Sequence, residues 1–386
     1  MADKKRILFV NDEMRMGGVA RVLNTLMSQL DTEKYEIDCL ILHKRGMLLE
    51  EIPSYVRVLE GTSFFNAVDE NLWDLVKRCN ITGLLSKLRL VFYMKTGLIK
   101  NKIISERKKI IKEPYDVEVA AKEGFCTIFT GFGNSKRKVN WVLTDYSVCN
   151  YSRRHMSLVK EALQYIDLNI ADSTQALEAY EKVFGIDPNK GKSIHNLMNV
   201  EKVERNIADA SETSIETSGL NVIAVARFHP QKSLERLLYA HKHALDRGIN
   251  HNLYLIGGGE TEPLLREIVK ENNLTKVMFL GYKINPYADI AASDLFVLSS
   301  LYEGFATIVN ESLIAGTPVL STRVGGITEQ ITKPEYGWIV ENNQQALNAG
   351  YYEALKDATR LKNMKDKLKE YHYPNEKILQ EFMEVL

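Results

Sequence analysis

Polar and apolar positions along the first forty residues change register twice. RILFVN (6–11) is an unbroken apolar run closed by polar residues, the pattern of a short strand buried on both faces. DEMRMGG follows as a glycine-bearing loop, and VARVLNTLMSQL then repeats its apolar positions at helical spacing. YEIDCLILH returns to a strand pattern, which completes a βαβ unit, the opening of a doubly wound sheet. YDVEVAA (115–121), VNWVLTD (139–145) and DLNIADS (167–173) add three more expected strands.

The alternation restarts in the second half. LNVIAVARF (220–228) reads as a strand, SLERLLYAHKHALDRG as a helix ended by glycine, and HNLYLIGGG as a strand running into a glycine turn. TEPLLREIVKENN is a further helix, and KVMFLGY, DLFVLSS and TPVLSTRVGG are strands. Between the halves, residues 201–219 are charged and rich in Ser and Thr, so a linker is expected there, with a helical turn or more inside it. The chain is thus expected to form an N-terminal α/β domain over 1–200 and a C-terminal one over 220–370. Both are doubly wound, and they face each other across a cleft. Ligands in such sheets bind beyond the carboxyl ends of the strands. The loops GG (17–18), GGG (257–259) and EGF (303–305) all lie at such ends.

Composition narrows the partners. A chain of 386 residues suits two domains, and 45% apolar with 26% charged residues is ordinary for a globular protein. The net charge is zero, so nothing in the total points to nucleic acid. Cys39, Cys79, Cys126 and Cys149 have neither a disulfide-framework nor a zinc-site spacing, and reduced structural thiols are expected. MADKKRILFVNDE turns polar too soon for a secretory leader, and no apolar run is long enough to span a bilayer; a cytoplasmic location is expected.

The chemistry concentrates in SLYEGFATIVNESL (301–314), where Glu303 and Glu311 stand eight positions apart. On one continuous helix they would be separated by about 12 Å and diverge by roughly 80°, too far for joint work on a single bond. A strand DLFVLSS, an exit loop LYEGF and a helix TIVNESLIAG closed by Gly316 suit the sequence better. Glu303 then projects from the loop and Glu311 from the early helix. The free N–H groups near Thr307 and Ile308 lie between them as an anion cradle. Carboxylate, cradle, carboxylate matches an extended ligand with hydroxyls at both ends and phosphate in the middle, as in a nucleotide sugar.

EGFATIVNE, with GYKINPY (281–287), DLFVLSSLYEGF (294–305) and GTPVLSTRVGGITEQI (316–331) around it, resembles the E-x7-E signature of the family-four retaining glycosyltransferases, in their capsular and exopolysaccharide branch. The likeness covers essentially the whole chain and is strongest over 220–331. It implies a GT-B fold of two Rossmann-like domains, with the donor held mainly by the second and the acceptor by the first. It implies that Glu303 contacts the donor sugar hydroxyls, Glu311 the ribose, and Arg227 and Lys232 in VARFHPQKS the diphosphate. Gly304, Phe305, Thr307 and Ile308 belong to the same donor-binding stretch. Gly17 and Gly18 match the family's N-terminal glycine pair, and Gly281 and Tyr282 lie where the base meets main chain. It also implies a C-terminal helix, about 371–386, packed back on the first domain. Singly, each has a structural reading: a tight turn for Gly17–Gly18, a solvated loop for Arg227 and Lys232, an exposed helix residue for Glu311. GGG (257–259) is left out of the site as a turn.

One position departs from the family. KVNWVLTDYS (138–147) resembles its W-I-H-x-D stretch, but Leu143 occupies the histidine position, while Trp141 and Asp145 are kept. Either the site tolerates the change, with Asp145 as a catalytic candidate and Tyr146 or His155 as possible substitutes, or the chain is a non-catalytic partner subunit of another transferase. An epimerase of similar fold fits less well, because the E-x7-E context belongs to transferases. No D-x-D, no clustered His/Asp/Glu with metal-ligand spacing and no P-loop occur, so no metal and no cofactor are expected.

Residues 77–112 carry eleven Lys and Arg against one acid, Glu106. Ile81, Leu84, Leu85, Leu88, Val91 and Phe92 fall on one helical face, flanked by Lys87 and Arg89, with Lys95 beyond. Such a helix can lie on an anionic bilayer. Nucleic acid is not expected, because no stacking aromatics are interleaved. The combined expectation is a metal-independent retaining transferase, peripheral at the inner face of the cell membrane. It would move a sugar from a UDP-linked donor to a polyprenyl-diphosphate-linked glycan in surface polysaccharide synthesis.

Overall fold

The computed structural model describes every residue except 1–3, 16, 69, 71, 145, 147–150, 211–212 and 217. The chain divides into two compact units, one of Met1–Leu197 with Glu376–Leu386 and one of Met198–Asn375.

The first unit is built on seven strands: β1 (Lys5–Asn11), β2 (Tyr35–Ile41), β3 (Arg57–Glu60), β4 (Val117–Ala120), β5 (Arg137–Val142), β6 (Leu168–Ala171) and β7 (Gly191–Ser193). They pair in parallel in the order β3-β2-β1-β4-β5-β6-β7. The winding leaves β1 in both directions, so the loops after β1 and β4 sit at the point where strand order reverses. Helices cover both faces, which explains why the strands read as continuous apolar runs rather than alternating ones. Two acids nevertheless lie inside. Glu118 on β4 takes a bidentate bond from Arg107 at 2.8 and 2.9 Å, and Arg107 also donates to the carbonyl of Phe129 at 2.7 Å. Asp38 on β2 is held by Arg57 and the Tyr115 hydroxyl. The expected C-terminal helix is present over Asn375–Val385, with Phe382 edge-on to Trp141 at 5.0 Å and Glu384 paired to Lys192 at 2.9 Å.

The second unit repeats the plan with β8 (Leu220–Val225), β9 (His251–Ile256), β10 (Val277–Gly281), β11 (Leu295–Leu298), β12 (Val319–Thr322) and β13 (Gly337–Val340). Its order, β10-β9-β8-β11-β12-β13, is the same winding from a new first strand, and the reversal falls between β8 and β11.

The described residues of the stretch read as a linker over 201–219 are folded into this unit. Asn199 caps a helix, Val200–Ala208, by accepting from the Lys202 N–H at 2.9 Å. Val203 and Ile215 enter the core beside Tyr254, Tyr287 and Phe296. Thr213 and Ser214 bond the buried carboxylate of Asp289 at 3.0 and 2.8 Å. A charged, serine-rich composition hid the few apolar anchors that fasten it.

Candidate functional site

The strand-order reversal of the second unit places two loops side by side, and each carries residues singled out in the sequence. After β8 the chain passes Arg227, makes a single 3-10 turn at Pro230–Lys232 begun by His229, and then enters the helix Leu234–Asp246. Ser233 joins turn to helix at φ 47°, a left-handed conformation rare for a residue with a Cβ. The carbonyl of Lys232 accepts from the Ser299 hydroxyl at 2.8 Å, and that of Gln231 accepts from the Leu301 N–H at 2.8 Å. These two bonds lash the loop after β8 to the loop after β11.

Glu303 sits at this junction with its carboxylate buried. Oε1 accepts from Lys232 Nζ at 2.6 Å and from the Ser300 hydroxyl at 2.5 Å. Gln231 Nε2 reaches Oε2 at 3.5 Å and the carbonyl of Tyr302 at 2.9 Å. On the other side, the backbone of Glu303 is backed by Gly325, where a Cβ would stand 2.4 Å from the Glu303 carbonyl oxygen. Its burial is thus met by an opposite charge and two further donors, as a buried carboxylate requires.

Gly304 and a buried Phe305 lead into the helix Thr307–Ile314, whose N-cap, Ala306, has no side chain to bond the first N–H groups. Thr307 and Ile308 therefore open that helix with their amides available to an anion. Glu311 stands one turn further, buried, and accepts from Tyr287 Oη at 3.0 Å.

Arg227 is exposed and makes no ion pair among the described residues. Gly281 ends β10 at φ 69°, its carbonyl accepting from the Gly257 N–H at 2.8 Å, and Tyr282 beside it is exposed. The GGG turn has a packing role: at Gly257 and Gly259 a Cβ would fall 1.9 Å from the Ala226 carbonyl and 2.3 Å from that of Phe228. It therefore supports the loop that bears Arg227.

The reversal of the first unit also makes a concavity. A cavity of about 290 Å³ is lined by the paired Asp12 and Lys122, by Glu123 and Gly124, and by Tyr151 and His155 among others. Glu123, buried, accepts from the backbone N–H of Leu143 at 2.9 Å. One residue on, Gly124 adopts φ 90° and has His155 Nε2 3.6 Å from the point its Cβ would occupy. The His155 ring stacks on Tyr151 at 4.7 Å, its Nε2 is buried without a partner among the described residues, and burial lowers its pKa. Gly17 and Gly18 lie in this unit at the start of the helix Gly18–Gln29, and Gly17 has nothing within 4 Å of a Cβ position. Asp145 lies outside the described residues.

Of the three cations expected on a membrane-facing surface, Lys87 is turned inward. Its Nζ donates to the carbonyls of Ala67 and Val68 at 3.0 and 3.3 Å, and it lines the cavity. It lies about 130° around the helix from the exposed apolar row, so its ammonium follows the packed side. Arg89 and Lys95 are exposed.

Sequence reasoning missed Gln231, Ser299, Ser300 and Tyr287 as supports of the two glutamates, and Glu123 as the support of Leu143. Ser299 and Ser300 follow β11 just before Glu303, and Tyr287 closes GYKINPY. Their proximity in sequence to the motifs was the available signal. Among the described residues no group of three His, Cys, Asp or Glu is arranged to hold a metal ion, and no helix is long and apolar enough to cross a membrane.

Residues 208–373 match the family Glycosyl transferases group 1. A Campylobacter jejuni N-acetylgalactosamine-N,N'-diacetylbacillosaminyl-diphospho-undecaprenol 4-alpha-N-acetylgalactosaminyltransferase is 29% identical over 62% of this chain and 66% of its own length. Bacillus anthracis N-acetyl-alpha-D-glucosaminyl L-malate synthase is 25% identical over 62% of this chain and 64% of its own. The chain thus spans just under two thirds of the length of these curated relatives. In fold, Anabaena HepE, solved with UDP, superposes with a TM-score of 0.72 at 17% identity, covering 98% of both chains. Staphylococcus aureus TarM gives 0.72 at 12% identity, covering 99% of both. The unit that carries both glutamates thus matches the Glycosyl transferases group 1 family over residues 208–373, and the two parallel sheets of one winding are those of the two-domain GT-B fold.

Proposed function

We propose that this protein is a retaining glycosyltransferase that moves a hexose or N-acetylhexosamine from a UDP-linked sugar to a polyprenyl-diphosphate-linked glycan. The step would serve cell-surface polysaccharide synthesis, at the inner face of the cell membrane. The observation that carries the reading is the buried Glu303, held by Lys232 at 2.6 Å beside an uncapped helix start with Glu311 one turn inside it. Carboxylate, cation, amide cradle and second carboxylate follow the polarity of a nucleotide sugar from hexose to ribose.

In this scheme Lys232, with three donors, serves Glu303 and a diphosphate oxygen together, and the exposed Arg227 supplies the second cation. The two stabilise charge growing on the departing phosphate, with no divalent ion required of them. Glu303 accepts from donor-sugar hydroxyls and fixes the anomeric carbon. Glu311 accepts from the ribose, the main chain at Gly281–Tyr282 meets the base, and the amides of the Gly304–Ile308 stretch approach the phosphates. Gly17 and Gly18 give the first unit a surface that phosphate can approach without a side chain in the way. The bond from anomeric carbon to diphosphate oxygen breaks, and the acceptor oxygen bonds the same face of that carbon. The acceptor's proton passes to the departing phosphate oxygen, so configuration is kept and a nucleoside diphosphate leaves. Asp145 is a further candidate for contact near the reacting carbon.

Two names support the substrates without assigning them: the Campylobacter relative acts on a diphospho-undecaprenol glycan, and HepE was solved with UDP-glucose. The cavity of the first unit, at its own strand-order reversal, is the acceptor seat in this reading. Arg89 and Lys95 would face anionic lipid.

A thermal-shift panel of UDP, GDP and ADP, alone and as common sugar conjugates, tests it in chelator. A ligand at about a hundred times its dissociation constant adds roughly 2.7 kcal/mol of stability. A selective shift with uridine nucleotides is expected. Leu143, at the family's histidine position, favours a second reading, a non-catalytic partner subunit. No shift with any nucleotide would leave that reading standing instead.

A further inference from the structure

The helix Ile81–Thr96 keeps an apolar row in solvent that its own unit does not cover. Ile81, Leu85, Leu88 and Phe92 stand at i, i+4, i+7 and i+11, within an arc of about 60° around the axis. Ile81 is 70% and Phe92 57% exposed, and Leu85 and Leu88 are both above half. The opposite side of the helix is what packs: Leu90 is buried, and Tyr93 and Met94 rest on the core. The preceding helix, Leu72–Lys77, brings Trp73, 73% exposed, with Leu72 and Val76 exposed beside it. Both helices thus leave large apolar side chains in solvent. Single exposed apolar residues are ordinary; a contiguous ridge is not.

The charges around the ridge choose its occupant. Arg89 and Lys95 fall about 80° to one side and 40° to the other of Ile81 on the helical wheel, and neither has an ion pair among the described residues. The 81–96 sequence contains no acid at all, Lys77 closes the preceding helix and Arg78 follows it. Apolar residues along a crest with cations on both shoulders match the depth profile of an anionic bilayer, acyl chains beneath phosphates. Along the 81–96 row the shoulders carry cations and no acid, which suits lipid phosphates better than an apolar protein groove.

We infer that this ridge is an insertion surface: Trp73, Ile81, Leu85, Leu88 and Phe92 enter the acyl boundary of one leaflet while Arg89 and Lys95 hold phosphate groups. The inference rests on the membrane-facing part of the function proposed above and deepens it, from adsorption by charge to anchoring by insertion. It is read without donor or acceptor, so a failed transferase assay would leave it untouched.

The experiment uses the full chain with vesicles of phosphatidylcholine containing a minority of phosphatidylglycerol, one set with brominated acyl chains. Cosedimentation is measured at low salt and at about 1 M salt, where charges are screened beyond about 3 Å. Insertion predicts binding that weakens in high salt yet persists, and fluorescence quenching by the brominated lipid that Trp73→Phe removes. The fourfold variant Ile81→Ser, Leu85→Ser, Leu88→Ser, Phe92→Ser should keep its melting temperature, since these side chains are exposed, and lose affinity by at least roughly tenfold. Arg89→Gln with Lys95→Gln should weaken binding at low salt only. Complete release in high salt, unquenched Trp73, or a fourfold variant that binds as wild type would each overturn the inference. So would lipid-free dimers of the wild type that the fourfold variant abolishes, which would assign the ridge to a second copy of the chain.

Discussion

Lys232 and Glu303, seventy-one residues apart, share a 2.6 Å bond at the strand-order reversal of the second unit. The bond joins the loop after β8 to the loop after β11, and main-chain bonds at Gln231 and Lys232 hold both loops in register around it. Each partner is thereby placed by the other. Removing Lys232 leaves a buried carboxylate with only Ser300 and Gln231 as support among the described residues, so positioning and charge neutralisation fail together.

Glu303→Ala should therefore lower kcat by roughly a hundredfold or more, the scale of losing one preorganised electrostatic contact, while UDP affinity changes little. Lys232→Met should lower kcat and weaken UDP binding as well, because it removes a cation from the phosphate site. Steady-state kinetics with calorimetric UDP titration separates the two. Full turnover by Glu303→Ala would end its assignment.

Leu143 stands where the resemblance implies a histidine; its N–H is held by Glu123, and His155 lies beside the next residue, Gly124. If that imidazole carries the polar contact, His155→Ala should slow transfer roughly tenfold, the worth of one hydrogen bond. Leu143→His in the same background should restore part of the loss. A slow enzyme that Leu143→His does not improve, or an unaffected His155→Ala, would count against it.

Arg107 and Glu118 are a stability prediction. The bidentate pair is fully enclosed, and Ser135 and the Phe129 carbonyl complete its bonding. Arg107→Ala should cost about 3–5 kcal/mol by stranding Glu118 in the core. Arg107→Met with Glu118→Leu should cost much less, since no charge remains buried. Melting curves of the single and double variants make the comparison, and additive losses would contradict a coupled pair.

His241 and His251 set an acid limit on the second unit. His241 Nδ1 meets His251 Nε2 at 2.7 Å, and the latter is 2.9 Å from Tyr351 Oη. Burial, then the neighbouring His251, lowers the His241 pKa to about 3. Burial lowers that of His251 to about 4 against a partial offset from the Ile249 carbonyl. Both are neutral in the folded protein at neutral pH, and the unfolded chain binds protons first as pH falls. Stability is then complete above about pH 6.5 and declines below it, by up to about 1.4 kcal/mol per pH unit for each histidine, until the folded values near 4 and 3 are passed. The variant His241→Leu with His251→Gln should lose less melting temperature between pH 7 and 5 than the wild type. Parallel curves would exclude the pair as the cause.

The strands read from apolar runs are the inner strands of both sheets and the β10 edge, and they are found where expected. The three that escaped, β3 (RVLE), β7 (GKS) and β13 (GWIV), all lie at sheet edges. An edge strand of three or four half-buried residues leaves too short an apolar pattern to register. Repetition of one βα alternation from residue 220, and the Glu303–Glu311 spacing beside a helix start, were likewise determined by local sequence, because burial on both faces and helix geometry act over a few residues.

What the tertiary structure decided are the relationships between distant loops and the fate of individual polar groups. The sheet winding brings Lys232 to Glu303 and Tyr287 to Glu311. It also turns Lys87 onto two backbone carbonyls instead of outward with Arg89. A cation at a given helical position has one sequence whether it meets water, lipid or a carbonyl. Which of these it meets depends on the neighbour that packing supplies, and that neighbour is fixed only when the whole sheet is wound.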